Sequence, residues 1–342
     1  MRAAFFRDHG GPEVLEVGEA PEPVAAHGDV IVGVRAVALN HLDLWVRRGI
    51  PGLELELPHI GGSDVAGVVE ATGAGVEGWE PGDRVVANPA LWCGECEACD
   101  RGQEPLCHSF AILGEHVRGG TAERVRVPAT NLFRIPDGLD FPVVAAAPLV
   151  FQTAWRALAS RARLAAGETL LVTGGSGGVS TAAIQIGRHL GARVLVLTSG
   201  TENVRRVEEL GADAAIDRLA ADLVPETRRL TDGRGVDVVL DSVGEALWSD
   251  CLRCLAPAGR LVTYGATTGP AARLDIRHVF WKQLSVIGTT MAARREFEEV
   301  MALVADGALR PVVDDVLPLD RIREAHERLE AGGVFGKLVL VP

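Results

Sequence analysis

Short runs in which apolar residues alternate with small or charged ones fill the first third of the chain. Arg2-Ala-Ala-Phe-Phe, Leu15-Glu-Val, Asp29-Val-Ile-Val-Gly-Val-Arg-Ala-Val-Ala-Leu and Asp64-Val-Ala-Gly-Val-Val-Glu read as strands. Gly10-Gly-Pro, Pro21-Glu-Pro, Gly61-Gly and Pro81-Gly-Asp punctuate them. Strands this closely spaced predict a compact, barrel-like β domain. From Leu170 the pattern changes. Leu170-Leu-Val172 is wholly apolar, Thr181–Leu190 is an amphipathic helix, and Gly191-Ala-Arg-Val-Leu-Val-Leu-Thr198 is a second buried strand. A helix over Glu202–Leu210, strands over Ala214–Asp217 and Val236–Asp241, a helix over Leu247–Leu255 and a strand over Arg260–Tyr264 continue the alternation. Strand and helix in turn predict a parallel sheet covered on both faces.

Between the first strand and helix of that half, six of seven residues are small: Gly174, Gly175, Ser176, Gly177, Gly178 and Ser180, with Val179 among them. Strand, glycine turn and helix make the fingerprint of a dinucleotide site. Glycine permits the tight turn and the approach of a pyrophosphate, and the helix N-terminus offers it N–H groups and a positive dipole end. Ligands of such sheets lie at the carboxyl ends of the strands, here Ser242, Val243, Gly265, Ala266 and Thr267.

A site that prefers NAD places an acidic residue about twenty residues past the glycines, at the end of the second strand. This chain has Thr198 and Ser199 there, with Arg205 and Arg206 on the following helix. Hydroxyls without a carboxylate lean the reading toward NADP(H). The two arginines are read either as phosphate contacts or as a solvated helix face.

With 342 residues the chain is long enough for two domains. Its net charge of −12 argues against a nucleic-acid partner, which needs a basic face. No run approaches the ~20 apolar residues of a membrane span, and Met1-Arg-Ala-Ala-Phe-Phe-Arg lacks a signal-peptide core, so a cytoplasmic location is expected.

Cys93, Cys96, Cys99 and Cys107 crowd one short loop. In such a chain four clustered thiols point to a structural zinc held by four thiolates, a closed site that stabilises the loop and takes no part in catalysis. His108 is read as a neighbour of that site, and Cys251 and Cys254 as packing residues.

The order of these elements, together with Gly61-Gly-Ser-Asp-Val-Ala-Gly-Val-Val, Pro81-Gly-Asp-Arg-Val, Gly235-Val-Asp-Val-Val-Leu-Asp-Ser-Val-Gly and Phe335-Gly-Lys-Leu-Val-Leu, resembles the medium-chain dehydrogenase/reductase superfamily over essentially the whole chain. The resemblance implies an α/β protein: a doubly wound parallel Rossmann sheet over residues 151–288, and a β-rich GroES-like catalytic domain over 1–150 and 289–342 with a zinc lobe at 90–110. It implies NAD(P)-dependent hydride transfer to or from a small molecule, in a homodimer or homotetramer. It also adds His41, Thr153 and Lys337 to the expected cofactor contacts.

Aligned by motif, the catalytic-zinc ligands of the zinc alcohol dehydrogenases fall on Asn40, Ser63 and Leu149, beside Asp43 and Asp64. An amide, a hydroxyl and an isobutyl group do not make a zinc site. The segment is closer to the quinone oxidoreductase branch, which implies hydride delivery to a carbonyl, enone or quinone, with Asn40 and Ser63 as donors to the substrate oxygen. An alcohol dehydrogenase with improvised ligands such as His59, His41 and the carboxylates, and a catalytically silent nucleotide-binding protein, stand as alternatives.

Overall fold

The computed structural model describes residues 1–342 and divides into two compact units. Met1–Gln152 and Ala292–Pro342 form the first; the uninterrupted stretch Thr153–Met291 forms the second.

In the second unit six strands run parallel in the order Ala214–Asp217, Arg193–Thr198, Thr169–Val172, Val236–Asp241, Leu255–Thr263, Ser285–Gly288. Counted along the chain this is the 3-2-1-4-5-6 order of the dinucleotide fold, and it reverses between Thr169–Val172 and Val236–Asp241. Successive side chains of a strand point to opposite faces. Leu171, Leu195, Leu197, Val239 and Leu261 pack with Leu223, Cys251, Leu252 and Cys254 from the helices Leu223–Leu230 and Trp248–Cys254. Leu170 and Val194 face the other way, against the helix Gly178–His189. A Cβ on Gly187 of that helix would come within 2.8 Å of Leu170 and 3.1 Å of Val194. Both faces are therefore covered, as the hydrophobic pattern predicts, and Cys251 and Cys254 are core residues whose thiols burial pushes up.

The strand expected over Arg260–Tyr264 starts earlier, at Leu255, and ends at Thr263. Pro257 sits in the stretch the pairing skips, between Leu255 opposite Val236 and Arg260 opposite Val238, so the strand passes through it.

The first unit is built on a seven-stranded sheet. Its order is Val313–Pro318, Lys337–Val341, Asp29–Ala38, Asp64–Thr72, Arg84–Ala87, Leu132–Arg134, with Arg124–Pro128 also paired to Asp29–Ala38. Val30, Val32, Val34, Val65, Val69, Val85, Val125, Val127, Leu338 and Leu340 share its core. Gly67 lets two strands close up, since a Cβ there would lie 2.2 Å from the Gly33 carbonyl oxygen. The register sets Ala38 opposite both Asp64 and Val339, and Leu39 N donates to Leu338 O at 2.9 Å. Residues 40, 64 and 337 are thereby gathered at one end of three adjacent strands.

Candidate active site and metal-binding loop

In the second unit the helix Gly178–His189 starts from Gly177 without a side-chain cap, so its first-turn N–H groups are open to an anion. Gly174 has φ 62°, which favours glycine. A Cβ on Gly175 would lie 2.5 Å from Val196 Cγ1, so the turn is pressed on the sheet. At Gly177 a Cβ would meet Gly174 O at 3.4 Å and would fill the space in front of the turn that a pyrophosphate needs. Ser176 and Val179 flank this turn, half-buried.

Hydrogen bonds draw the neighbouring strand ends to the same place. Ser180 Oγ donates to Thr173 O at 2.9 Å, and Thr173 Oγ1 donates to Asp241 Oδ1 at 2.7 Å. Asp241 also accepts from the Val243 and Gly244 N–H groups at 3.2 and 2.9 Å. Thr267 donates through both N and Oγ1 to Ser242 O at 3.0 Å, and a Cβ on Gly265 would touch Ser242 at 3.3 Å. Ala266 lies in the same loop, exposed. Burial raises the Tyr264 phenol, which bonds Ser242 and Ser180. Thr153 Oγ1 lies 4.0 Å from Met291 Sδ in this unit. Five strand-end residues predicted as ligand contacts are thus brought together, and the site fits a dinucleotide.

Thr198 is buried at the end of its strand and Ser199 follows it. The expectation for Arg205 changes, because its guanidinium pairs with Glu202 (2.6 Å) and Glu209 on its own helix. The cation that reaches Ser199 is Arg218, whose Nε donates to the hydroxyl. Sequence reasoning missed it because it comes from the end of the next strand. Asp217 beside it accepts from Gly200 N at 2.9 Å.

In the first unit Cys96 and Cys99 sulfurs lie 3.5 Å apart, Cys107 and Cys93 3.5 Å, and Cys93 and Cys99 4.0 Å. The Cys99 N–H pulls the Cys96 thiol down to about 6. Cys107 Sγ accepts from Cys93 N and Ser109 N at 3.4 and 3.3 Å. A ring nitrogen of His108 joins Cys93, Cys96 and Cys107 within 4.8 Å.

Asn40, Asp43, Asp64 and Lys337 meet at the strand ends of the same unit, all buried. Lys337 Nζ lies 2.9 Å from Asp64 Oδ2 and donates to Asn40 Oδ1. Asn40 Nδ2 donates to Asp64 Oδ2 at 2.9 Å and to Ala38 O at 3.5 Å. Leu149 N, in the first turn of the helix Pro148–Trp155, donates to Asp64 Oδ1 at 2.8 Å. Asp43 accepts from Asn40 N at 2.7 Å and from Gly62 N at 2.9 Å, and burial pushes its carboxyl up to about 6. Ser63 is wholly buried and its hydroxyl has no hydrogen-bond partner. His41 keeps an exposed edge at the start of the helix His41–Arg48; desolvation of its ring, then the Lys337 and Arg48 charges, lower its pKa.

A family model described as the alcohol dehydrogenase GroES-like domain matches residues 26–137, and one described as a zinc-binding dehydrogenase matches 210–340. The acryloyl-coenzyme A reductase of Metallosphaera sedula is 32% identical over 99% of each chain. The quinone oxidoreductase of Homo sapiens is 29% identical over 100% of this chain and 98% of its own. A crystal structure of an NAD-dependent alcohol dehydrogenase superposes with a TM-score of 0.97 at 44% identity, both chains covered in full. The chain belongs to the medium-chain dehydrogenase/reductase superfamily. It is an NAD(P)-dependent oxidoreductase.

Two zinc positions are at issue in this dehydrogenase/reductase, and the donors distinguish them. Four thiolates at 2.3 Å from a tetrahedral ion lie about 3.8 Å apart, and the three sulfur separations of the loop match that spacing. A structural zinc fits. At the strand ends it does not. Both oxygens of Asp43 and of Asp64 are taken by N–H donors, an ammonium occupies the carboxylate cluster, and His59 turns its Nε2 to Gly114 O at 3.1 Å. Two of the expected site residues have partners within the chain here. Asn40 has no N–H left for a substrate, because both ends of its amide are engaged. Lys337, expected as a cofactor contact, has its ammonium bonded to Asn40 and Asp64.

Proposed function

We propose that this dehydrogenase/reductase uses NAD(P)H to reduce an electron-poor acceptor, an enone, quinone or reactive carbonyl compound, without a catalytic metal. The carrying observation is the donor set around Asp64, where an ammonium and N–H groups stand in place of metal ligands. When bound, the reduced nicotinamide supplies the hydride. The chain's own part is to place and polarise the acceptor. Ser63 offers a buried, uncommitted hydroxyl to its oxygen, while Asp43 and Asp64 fix the backbone and side chain of Asn40. The acryloyl-coenzyme A reductase and quinone oxidoreductase relatives support an acceptor of this class.

Cys93, Cys96, Cys99 and Cys107 would hold one structural zinc. Arg218 with Ser199 supports a lean toward NADP(H); the Asp217 carboxylate at the same loop favours NAD(H) as a second reading. The edge strand Ser285–Gly288, with exposed Val286, Phe280 and Trp281, supports self-association into a homodimer or larger homo-oligomer. No helix is long and apolar enough to cross a membrane. Six unpaired cysteines suit a reducing cytoplasm.

Alcohol oxidation is the second reading of the activity, favoured by the 44% identical alcohol dehydrogenase. A panel of quinones, enones, aldehydes and alcohols with both cofactors, run beside metal quantification, separates the two. One zinc per chain and preferential reduction of activated acceptors are expected. Two zinc ions per chain, with alcohol oxidation that stops when the labile one is chelated, would reject the proposal.

A further inference from the structure

We propose that Asp241 is a positioning residue for the cofactor: its buried carboxylate ties the glycine turn to the two strand-end loops and so fixes the nicotinamide half of the site. This rests on the dinucleotide site of the second unit and not on the identity of the acceptor. Asp241 ends the strand Val236–Asp241, where the strand order reverses, and is wholly buried. Its two oxygens meet neutral donors. Oδ1 accepts from Thr173 Oγ1 at 2.7 Å and from Val243 N at 3.2 Å, and Oδ2 accepts from Gly244 N at 2.9 Å. The Val243 and Gly244 bonds are local and form the turn after the strand. The Thr173 bond is not local: it crosses 68 residues to the end of the neighbouring strand Thr169–Val172. A carboxylate accepts on both oxygens and can serve all three donors, whereas an amide would turn N–H groups toward one side of them.

Hydrogen bonds lead away from that carboxylate in two directions. On one side Thr173 O accepts from Ser180 Oγ at 2.9 Å, so the residue that donates to Asp241 also holds the first turn of the helix Gly178–His189. On the other side the loops after Asp241 and after Thr263 are zipped together. Thr268 donates to Val243 O through N at 2.9 Å and Oγ1 at 2.7 Å, Ala246 N donates to Thr268 Oγ1 at 3.0 Å, and Tyr264 N donates to Asp241 O at 3.1 Å. Gly244, at φ 80°, admits the contact, since a Cβ there would lie 2.9 Å from Ala266 Cα. A dinucleotide spans both halves of such a sheet, with its pyrophosphate at the turn between them. The adenylate half falls to the ends of Arg193–Thr198 and Ala214–Asp217, so the zipped loops fall to the nicotinamide half. Asp241 therefore sets where those loops stand relative to the phosphate turn. A misplacement of about 1 Å can cost about 10²-fold in rate.

Thr173→Val removes the cross-strand bond and leaves the local turn, and Thr173→Ser restores the hydroxyl. Calorimetric titration with NADPH, NADH and ADP reads affinity, and fluorescence anisotropy of the bound reduced nicotinamide reads the freedom of its ring. ADP carries the adenosine and phosphates without the nicotinamide half. Thr173→Val is expected to weaken NADPH and NADH about tenfold, to leave ADP unchanged and to lower the anisotropy. Thr173→Ser should recover all of these. Asp241→Asn should act in the same direction as Thr173→Val, and the double variant should be non-additive, because both substitutions break one bond. A carboxylate that serves the fold alone would weaken ADP by the same factor as NADPH. That parallel loss, or unchanged cofactor affinity and anisotropy in a folded Thr173→Val variant, would overturn the inference. Wild type that binds neither NADPH nor NADH would remove the dinucleotide site and the inference with it.

Discussion

Lys337 Nζ lies 2.9 Å from Asp64 Oδ2, and the two side chains are 3% and 0% exposed. Such a pair gains little net stability, because desolvation offsets the attraction, but losing one partner leaves an uncompensated buried charge. Asp64→Ala is therefore expected to cost about 3–5 kcal/mol in denaturant unfolding. A cost below about 1 kcal/mol, the range of surface pairs, would show that the pair is solvated.

The cysteine loop should lose its metal when one thiolate goes. Cys107→Ala is expected to drop zinc content from one per chain toward zero and to lower the melting temperature. His108→Ala should leave both unchanged if the four sulfurs are the ligands; loss of zinc would instead make His108, which lies within 4.8 Å of Cys93, Cys96 and Cys107, a ligand. Metal analysis of freshly purified protein checks this, and four free thiols without zinc would remove the site.

Gly177→Val places branched carbon where the turn is open, with Gly174 O at 3.4 Å and Ser180 Oγ at 3.9 Å the nearest atoms to a Cβ. Cofactor affinity should fall at least tenfold, about 1.4 kcal/mol, while the unfolding of the β-rich unit is unaffected. Calorimetric titration with NADPH and NADH reads the change; an unaltered Kd would put the nucleotide elsewhere.

Arg218 and Arg205 make opposite forecasts about the 2′-phosphate. Arg218→Ala should raise the KM for NADPH and spare that for NADH, because it removes the cation at Ser199. Arg205→Ala should alter neither, because its guanidinium is occupied by Glu202 and Glu209. Equal effects of Arg218→Ala on the two cofactors would assign the arginine to packing.

Burial pushes Asp43 up to about 6, above the ~3.9 of an unfolded chain. The stability that Asp43 contributes is thus fully present below about pH 4 and is lost as pH rises through about 6, on the order of 3 kcal/mol in all. Wild type should gain on Asp43→Asn in unfolding free energy as pH falls from 7 to 4. A difference that stays flat over that range would show a carboxyl ionised throughout.

Local signals carried the parts of this molecule that depend on near neighbours. Leu170-Leu-Val172 and the glycines after it declare a strand and turn within a dozen residues, and Cys93 to Cys107 declare a loop ligand set by spacing alone. Arg205 was also legible in principle, since Glu202 and Glu209 stand three and four residues away on one helix face. The buried cluster around Asp64 was not. Lys337 meets Asn40 and Asp64 across 297 and 273 residues, through a strand register that no local periodicity encodes. An asparagine where a metal ligand is expected looks like a free donor until the lysine that occupies it is located. Arg218 was hidden for a similar reason: its partner Ser199 lies on the neighbouring strand end.

The strand Lys337–Val341 lies between Val313–Pro318 and Asp29–Ala38, and this has a consequence for synthesis. The dinucleotide unit is one unbroken stretch, so it can fold as soon as Met291 has left the ribosome. The other unit begins first and finishes last, because its sheet has a gap until residues 337–341 emerge. Until then Asp64 is without its ammonium and the edge of Asp29–Ala38 is unpaired on that side. The nascent chain thus carries a finished nucleotide fold alongside an open β sheet, and the same lysine that charges the site marks the moment of its closure.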